Sequence, residues 1–583
     1  MMIQKRIHRV PKVREYHEHR DHRTDGKDSG KIKVCYLGGM GEITRNMSFI
    51  EYKGKILIMD CGLRFPEDDM PGIDFLIPNT TYLKQNKHKI AGMLISHGHY
   101  DHLGAIPYVI QDIGNPTIYT APLTRAMILK RQEDFRNQPK LDIETIDMAN
   151  LTPLQIGPFK VYPFRVNHNI PDTLGFAVET SEGLIFYVPD FKIDFNPVID
   201  PSADLGFISR IASKGALLLM SDSTNAEQPG RSPSESSVAD DLERIFEKAP
   251  GRIIIGTFAS LISRVQQIIW LSEKMGRKVV LEGYSMKNNV EIARALGYLQ
   301  VNKGTLISPQ EAQGLLNKQI TILCTGSQGE DRAVLMRIVN REHKFFKIEK
   351  NDTVIFSSSA IPGNERAIQN LKDNFCRQGA KVIHYKMMDI HAGGHAHQED
   401  LKILYNLVKP KFFIPICGQY SMLQTHAELI VSMGMPKENA LVVSNGQMVE
   451  VNRHKMQITN QEVPSNYVMV DGLGVGDVSD VVLRDRNLLS QDGVIAIVVM
   501  IDAQSGTLKG EPEIISRGFA FLRGKDFIGE INNLVHDIIQ KTVVKDTSMN
   551  WIYVKDNLRD KIGEFIFKRT ERRPMILPFI VEM

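Results

Sequence analysis

The chain has 583 residues, 42% of them hydrophobic and 24% charged, with a formal net charge of +3. That composition fits a globular protein of three or four domains at about 100–200 residues each, and it excludes a fibrous or wholly disordered chain. The basic excess is too mild to name a nucleic acid as partner, and the longest strongly apolar run, VIAIVVMI over 494–501, is far short of the ~20 residues a membrane-spanning helix needs.

Residues 1–30 carry His8, His17, His19 and His22 among Arg and Asp without periodic apolar positions. They read as a solvated, flexible arm lacking the apolar core of a secretory signal, so a cytoplasmic protein with no membrane partner is expected. The five cysteines (Cys35, Cys61, Cys324, Cys376 and Cys417) never form a CxxC pair and predict reduced thiols, not a disulfide framework. From Lys31, short β-branched and aromatic runs bounded by glycine (KVCYLGG, NMSFIEY, KILIMDCG, AGMLIS) predict strands. After Asp101, HLGAIPYVIQDIG predicts a short helix with Asp101 as its N-cap.

Further strands follow between about 140 and 200. Then ALLLMSDSTNAE, RIIIGTFAS, KVVLEG, ITILCTGS and TVIFSSS each join an apolar run to a polar tail, with helical segments between. That alternation predicts a parallel α/β layer carrying polar groups at its strand C-termini, where such sheets place their sites. FFIPICGQY resembles one more such strand, 451–468 reads as a linker, and a last α+β segment runs to the end.

The densest chemistry lies in ISHGHYDHLG, residues 95–104. His97 and His99 are two apart, which places them on one side of an extended chain but about 200° apart around a helix, so joint ligation needs a strand end. Asp101 and His102 follow at once, and one ion rarely takes four donors from so short a span. The spacing points to two adjacent metals, with imidazoles suited to zinc and a carboxylate able to orient water. His168 in RVNHNIPD and Asp190 in YVPDFKID are candidate further ligands; a carboxylate between two ions helps turn a water into a hydroxide nucleophile. IHAGGHAHQEDL sets a Gly-Gly turn ahead of a helix, a pattern that offers free N–H groups to an anion. LGGMGE and DGLGVGD do not open a helix as a dinucleotide fingerprint does, and no nucleotide cofactor is expected.

SHGHYDH with His168 and Asp190 resembles the metallo-β-lactamase superfamily. LGGMGEITRNM, DCGLRFPEDDMPGIDFLIP, SDSTNAEQPGRSPSE, TGSQGE, SSSAIPGNE, GGHAHQEDL, VDGLGVGDV and RTERRPMILP narrow the likeness to the ribonuclease J family of the β-CASP group, in order from about residue 32 to 583. The resemblance implies an α/β fold: a metallo-β-lactamase αββα sandwich (31–208, returning at 371–450), an inserted β-CASP domain (209–370), a linker (451–468) and a C-terminal α+β domain (469–583). It implies a zinc-dependent ribonuclease with 5′-to-3′ exonuclease and endonuclease activity in RNA maturation and decay. Two zincs per chain are implied, with manganese or magnesium as alternatives. His97, His99 and His168 hold one ion, Asp101 and His102 the other, with Asp190 between. Asp222 matches an acidic β-CASP motif and His395 the histidine motif at the scissile phosphate, so Asp101, Asp222 and His395 are the implied catalytic residues. Ser357, Ser358, Ser359, His391, Gly393 and Gly394 are implied to receive the 5′-monophosphate of RNA, and the C-terminal domain to support a homodimer or homotetramer or pairing with a paralogue.

The chain departs from that pattern where it has Cys417 in place of the histidine that completes the second zinc. A thiolate can ligate zinc, or Cys417 can be a small buried side chain beside a weaker site; the sequence leaves both open. Leu261, Ser263, Gly393, Gln419 and Ser421 also depart. They motivate a second reading, a paralogue of little activity acting as an RNA-binding or regulatory subunit.

Overall fold

The computed structural model describes residues 31–583 apart from 68, 136–137, 331, 362, 389, 477, 503–504, 506, 521–524 and 543–550; the histidine-bearing arm lies outside the described residues. In the strand Lys55–Met59, Ile56 and Ile58 enter one apolar cluster and Leu57 and Met59 another, the period-2 alternation of a strand buried on both faces. It belongs to an eight-stranded sheet. The central core lies between this sheet and a six-stranded one: Tyr36, Ile50, Leu57 and Met59 face Phe176, Val178, Tyr187, Leu218 and Met220. Helices Ile106–Val109 and Pro122–Gln132 cover the outer face of the first sheet. Helices Leu205–Ala212, Gln398–Val408 and Tyr420–Ser432 cover that of the second. The result is the expected αββα sandwich.

A separate all-parallel sheet of five strands runs in the order Lys278–Glu282, Ile320–Cys324, Ile253–Gly256, Thr353–Phe356, Lys381–His384. Helices Val238–Lys248, Ile262–Lys274 and Tyr284–Ala295 pack on one face, and Val334–Val339 and Glu365–Arg377 on the other. Toward the C-terminus, Glu513–Arg517, Val494–Ile501 and Met575–Glu582 form a three-stranded sheet. Helices Lys525–Thr542 and Trp551–Thr570 back one of its faces. Among the described residues, no helix is long and apolar enough to cross a membrane.

Three strands lie elsewhere than the chain-order reading places them. Ala216–Asp222 pairs with Gly183–Val188 and Phe412–Ile416 in the six-stranded sheet, not in the five-stranded one. Lys381–His384 edges the five-stranded sheet instead of joining the returning segment. Met456–Glu462, within the stretch read as a linker, is a strand paired with Gln447–Val451. A parallel strand covered on both faces carries the same apolar run whichever sheet it joins, so composition does not separate the alternatives.

The pairing of Ala216–Asp222 decides where the chemistry sits. Gly183–Val188, Ala216–Asp222 and Phe412–Ile416 run parallel and adjacent, so Asp190, Asp222 and Cys417 emerge from one end of the sheet. Lys55–Met59 and Ile90–Leu94, in register at Met59 and Leu94, bring Asp60 and the His97 segment to the facing end of the other sheet.

Candidate active site

His97, His99, His168 and Asp190 offer donor atoms that all lie within 4.8 Å of one another, and so do Asp101, His102 and Asp190. His97 Nε2 is 3.0 Å from His99 Nδ1, which is 3.2 Å from His168 Nε2. Burial pushes His97 and His168 well below the usual imidazole range and His99 down to about 3. Three neutral imidazoles, His97 and His168 buried and His99 half-buried, therefore aim nitrogens at one another, an arrangement that a shared cation satisfies. The residues fit a metal.

Asp190 joins the two groups. Its Oδ2 lies 3.7 Å from His97 Nε2 and 3.6 Å from His168 Nε2, and its Oδ1 3.2 Å from His102 Nε2. Burial raises its carboxyl, but His102 and His395 outweigh burial and hold it well below the ordinary range. On His102, burial opposes charge, yet Asp190, Asp101 and Asp60 keep its pKa well above normal. Burial pushes Asp101 up to about 6. A proton on His102 thus stands where a cation's charge can replace it.

The sequence reading passed over Asp60, fully buried at the end of KILIMD in a left-handed backbone conformation (φ 59°). Its Oδ2 is 2.8 Å from His102 Nδ1 and accepts from Ser96 Oγ at 3.0 Å and Tyr187 Oη at 2.6 Å; Ser96 Oγ is 3.0 Å from His97 Nδ1. One carboxylate therefore orients an imidazole in each donor group, the outer arrangement that fixes tautomer and ring angle. Asp60→Asn is expected to weaken metal binding by about 10–100-fold; isothermal titration with zinc checks this, and an unchanged affinity would refute the role. Its signal was legible: an Asp at the end of a buried strand.

His395 Nδ1 is 2.8 Å from Asp222 Oδ2, and His395 Nε2 is 3.9 Å from Asp190 Oδ2. Burial alone would lower this imidazole; Asp222 and Asp190 raise it to about 9. Asp222 is itself fixed through Oδ1 by the Thr224 amide at 2.9 Å and hydroxyl at 2.7 Å.

Cys417 is buried at the same sheet end, but its sulfur joins neither donor group. Burial and then Asp190, Asp222, Asp60 and Asp101 push its thiol well above the usual range.

The residues assigned to a phosphate lie along the adjoining loops. Ser357 Oγ donates to Ile390 O at 2.8 Å and Ser358 Oγ to Ser327 Oγ at 2.8 Å, while Ser359 is half-buried. The buried Nδ1 of His391 has no partner, and burial with Arg264 and Lys192 nearby pushes this imidazole down to about 3. Gly394 O is 2.7 Å from His168 Nδ1; a Cβ on Gly394 would stand 2.5 Å from the His168 ring. The loop is anchored by Arg264, fully buried, which donates to Glu235 at 2.6 and 3.0 Å, to Ile390 O at 2.6 Å and to Ser357 Oγ. Arg264 was also missed, since one Arg inside a helical pattern carries no distinguishing sequence signal.

Comparison with known proteins matches four family models to this chain: a beta-lactamase superfamily domain over 70–205, the ribonuclease J beta-CASP domain over 250–375, a Zn-dependent metallo-hydrolase RNA specificity domain over 382–442, and the ribonuclease J C-terminal domain over 481–583. The chain is 36% identical over 558 residues to Ribonuclease J2 of Bacillus subtilis, covering 96% of this chain and 100% of that one. It is 38% identical to Ribonuclease J 1 of Streptococcus pyogenes (94% and 98% covered) and 37% identical to Ribonuclease J of Thermus thermophilus (96% of each). A solved structure of a protein of unknown function from Enterococcus faecalis V583 shares the fold, with a TM-score of 0.52 at 16% identity, covering 72% of this chain and 100% of that one.

Proposed function

Since the chain belongs to the ribonuclease J family, metal-dependent ribonucleases that hydrolyse phosphodiester bonds, we propose that it works with two zinc ions as a 5′-to-3′ exonuclease and endonuclease in RNA maturation and decay. The observation that carries this reading is the convergence of neutral His97, His99 and His168 on Asp190, with the Asp101–His102 group on its other side and His395 at 3.9 Å. His97, His99, His168 and Asp190 would hold one ion, and Asp101, His102 and Asp190 the other. When bound, the ions supply Lewis acidity, acidifying a water and offsetting the negative charge that a phosphodiester gains toward its transition state.

The protein's own groups do the rest. Asp222 keeps His395 Nδ1 engaged, so the proton available to substrate is on Nε2. That proton passes to the leaving oxygen as the phosphorus–oxygen bond breaks, while water supplies the new oxygen on phosphorus. Asp101, half-buried and between His99 and His102, orients the water. Ser357, Ser358, Ser359, His391, Gly393 and Gly394 would receive the 5′-monophosphate. The unpartnered His391 Nδ1 supports that placement; the nearby Arg264 and Lys192 are buried and paired with Glu235 and Asp194.

A homodimer is the assembly we propose. The outward face of the C-terminal sheet exposes Met500, Ile515, Leu577, Phe579 and Val581, a contiguous apolar surface of the kind that marks a protein interface.

The test is digestion of 5′-monophosphorylated and 5′-triphosphorylated RNA with added zinc, read for mononucleotides and internal fragments. Cleavage is expected, fastest from the 5′-monophosphate end, and no cleavage above a His97→Ala control overturns the reading. One observation favours the competing paralogue reading: Cys417 lies outside both donor groups. Substoichiometric metal together with tight RNA binding and no cleavage would establish it.

A further inference from the structure

Asn46 lies at the end of LGGMGEITRN, a loop to which no ligand role has been given. Its side chain is buried (2% exposed), and its backbone is clamped by Asn46 N donating to Asp101 O at 2.9 Å and Gly62 N donating to Asn46 O at 2.9 Å. The Nδ2 end of its amide is 3.0 Å from His102 Nε2 and 3.5 Å from Asp101 Oδ2, and donates to Ile43 O at 3.2 Å. Two of those three partners are the donor atoms of the Asp101–His102–Asp190 group. The other end, Oδ1, has no hydrogen-bond partner.

Behind the amide is a cavity of ≈ 10 Å³, room for one water, lined among others by Tyr36, Gly39, Ser48 and Cys417. Tyr36 Oη and Ser48 Oγ are likewise buried and without partners. Three unpartnered polar atoms around one cavity are unusual in an interior where nearly every such group is bonded. Gly39, with φ 88°, lets the amide oxygen stand there, since a Cβ would come within 2.4 Å of it.

We propose that Asn46 is the fourth side chain of the Asp101–His102–Asp190 subsite, lending its amide carbonyl oxygen to the cation, while the cavity walled by Tyr36 and Ser48 receives the NH₂ group and one water. This rests on the reading of the cluster as a metal site. The physical reason is charge. A cation beside His102 and Asp101 repels an NH₂ group and attracts a carbonyl oxygen, and the two ends of an amide exchange by a half-turn about one bond. The turn gives up the bond to Ile43 O and brings the NH₂ group to the cavity, where one water can bridge it to Tyr36 Oη and Ser48 Oγ, neither of which is within direct hydrogen-bond reach of the amide. The resulting donor set has three oxygens and one imidazole, against three imidazoles and one carboxylate in the other subsite, so it suits an oxygen-preferring ion such as Mn²⁺ better than its neighbour does. Cys417 remains a wall of the cavity and is not a ligand.

The experiment strips the full chain with a chelator, reloads it with one equivalent of Zn²⁺, and titrates Mn²⁺ by electron paramagnetic resonance, with zinc content measured on the same samples. The wild type is expected to take up one Mn²⁺. Asn46→Ala should keep its zinc and bind Mn²⁺ about 10–100-fold more weakly. Asn46→Asp, the same shape but purely an acceptor, should bind Mn²⁺ at least as tightly as wild type, and Cys417→Ala should match wild type. Wild type without Mn²⁺, Asn46→Ala binding as wild type does, Asn46→Asp as weak as Asn46→Ala, or Cys417→Ala weakened tenfold would each overturn the proposal. RNA cleavage is scored separately: a chain that loads as expected but leaves RNA intact refutes the nuclease reading alone.

Discussion

Asp190→Ala is expected to abolish RNA cleavage, lowering kcat/KM by at least about 10³-fold, the order seen when a principal electrostatic element of a transition-state site is lost. The reason is that a single carboxylate serves four neighbours. Asp190 reaches His97 and His168 through Oδ2, His102 through Oδ1, and faces His395. Without it the four-residue donor group is reduced to three imidazoles and the other to a carboxylate and an imidazole. Both subsites lose their shared anion, so bound metal should fall below one equivalent per chain. The αββα core should survive, because Asp190 stands beyond the last residue of Gly183–Val188 and outside the apolar clusters. Metal analysis, circular dichroism and single-turnover cleavage on the same preparation check this; a variant that cuts within tenfold of wild type would rule the shared role out.

His395→Ala should separate chemistry from metal binding. We expect kcat to fall about 10²–10⁴-fold, the usual contribution of a positioned proton donor, with metal content unchanged and KM altered far less than kcat. His395 lies outside the His97–His99–His168–Asp190 and Asp101–His102–Asp190 groups; with Asp190 and Asp222 it makes a third close set of donor atoms, and its nearest anchor is Asp222 at 2.8 Å. Asp222→Asn should produce a smaller loss in kcat, since an amide can hold the ring without favouring its charged form. Loss of metal from His395→Ala, or a change confined to KM, would assign His395 to ligation or binding instead.

Much of this site was legible before the fold was known, for reasons that differ by residue. His97, His99, Asp101 and His102 were found because four donors in six positions are rare without a cation. His168 and Asp190 stood out as polar residues closing apolar runs. Asp222, His395 and Cys417 were reached through resemblance, because each alone is an ordinary turn, loop or core residue. Asp60 closes an apolar run as Asp190 does and carries the same signal, whereas nothing local marks Asn46, whose partner Asp101 lies 55 positions away.

The chain's residue order by itself determined most of the segments that become strands, Met456–Glu462 excepted, because alternation and β-branched content act over a few residues. It also determined that a metal-binding cluster ends one of those strands. Only the tertiary structure decided which sheet each strand joined. The Ala216–Asp222 run has the apolar character of a five-stranded-sheet strand but pairs between Gly183–Val188 and Phe412–Ile416. That pairing carries Asp222 to His395 and sets Cys417 beside a cavity, apart from the donor atoms. Local sequence specifies extended backbone, whereas a site assembled from strand ends depends on pairings between distant segments, whose register is set by the whole buried core.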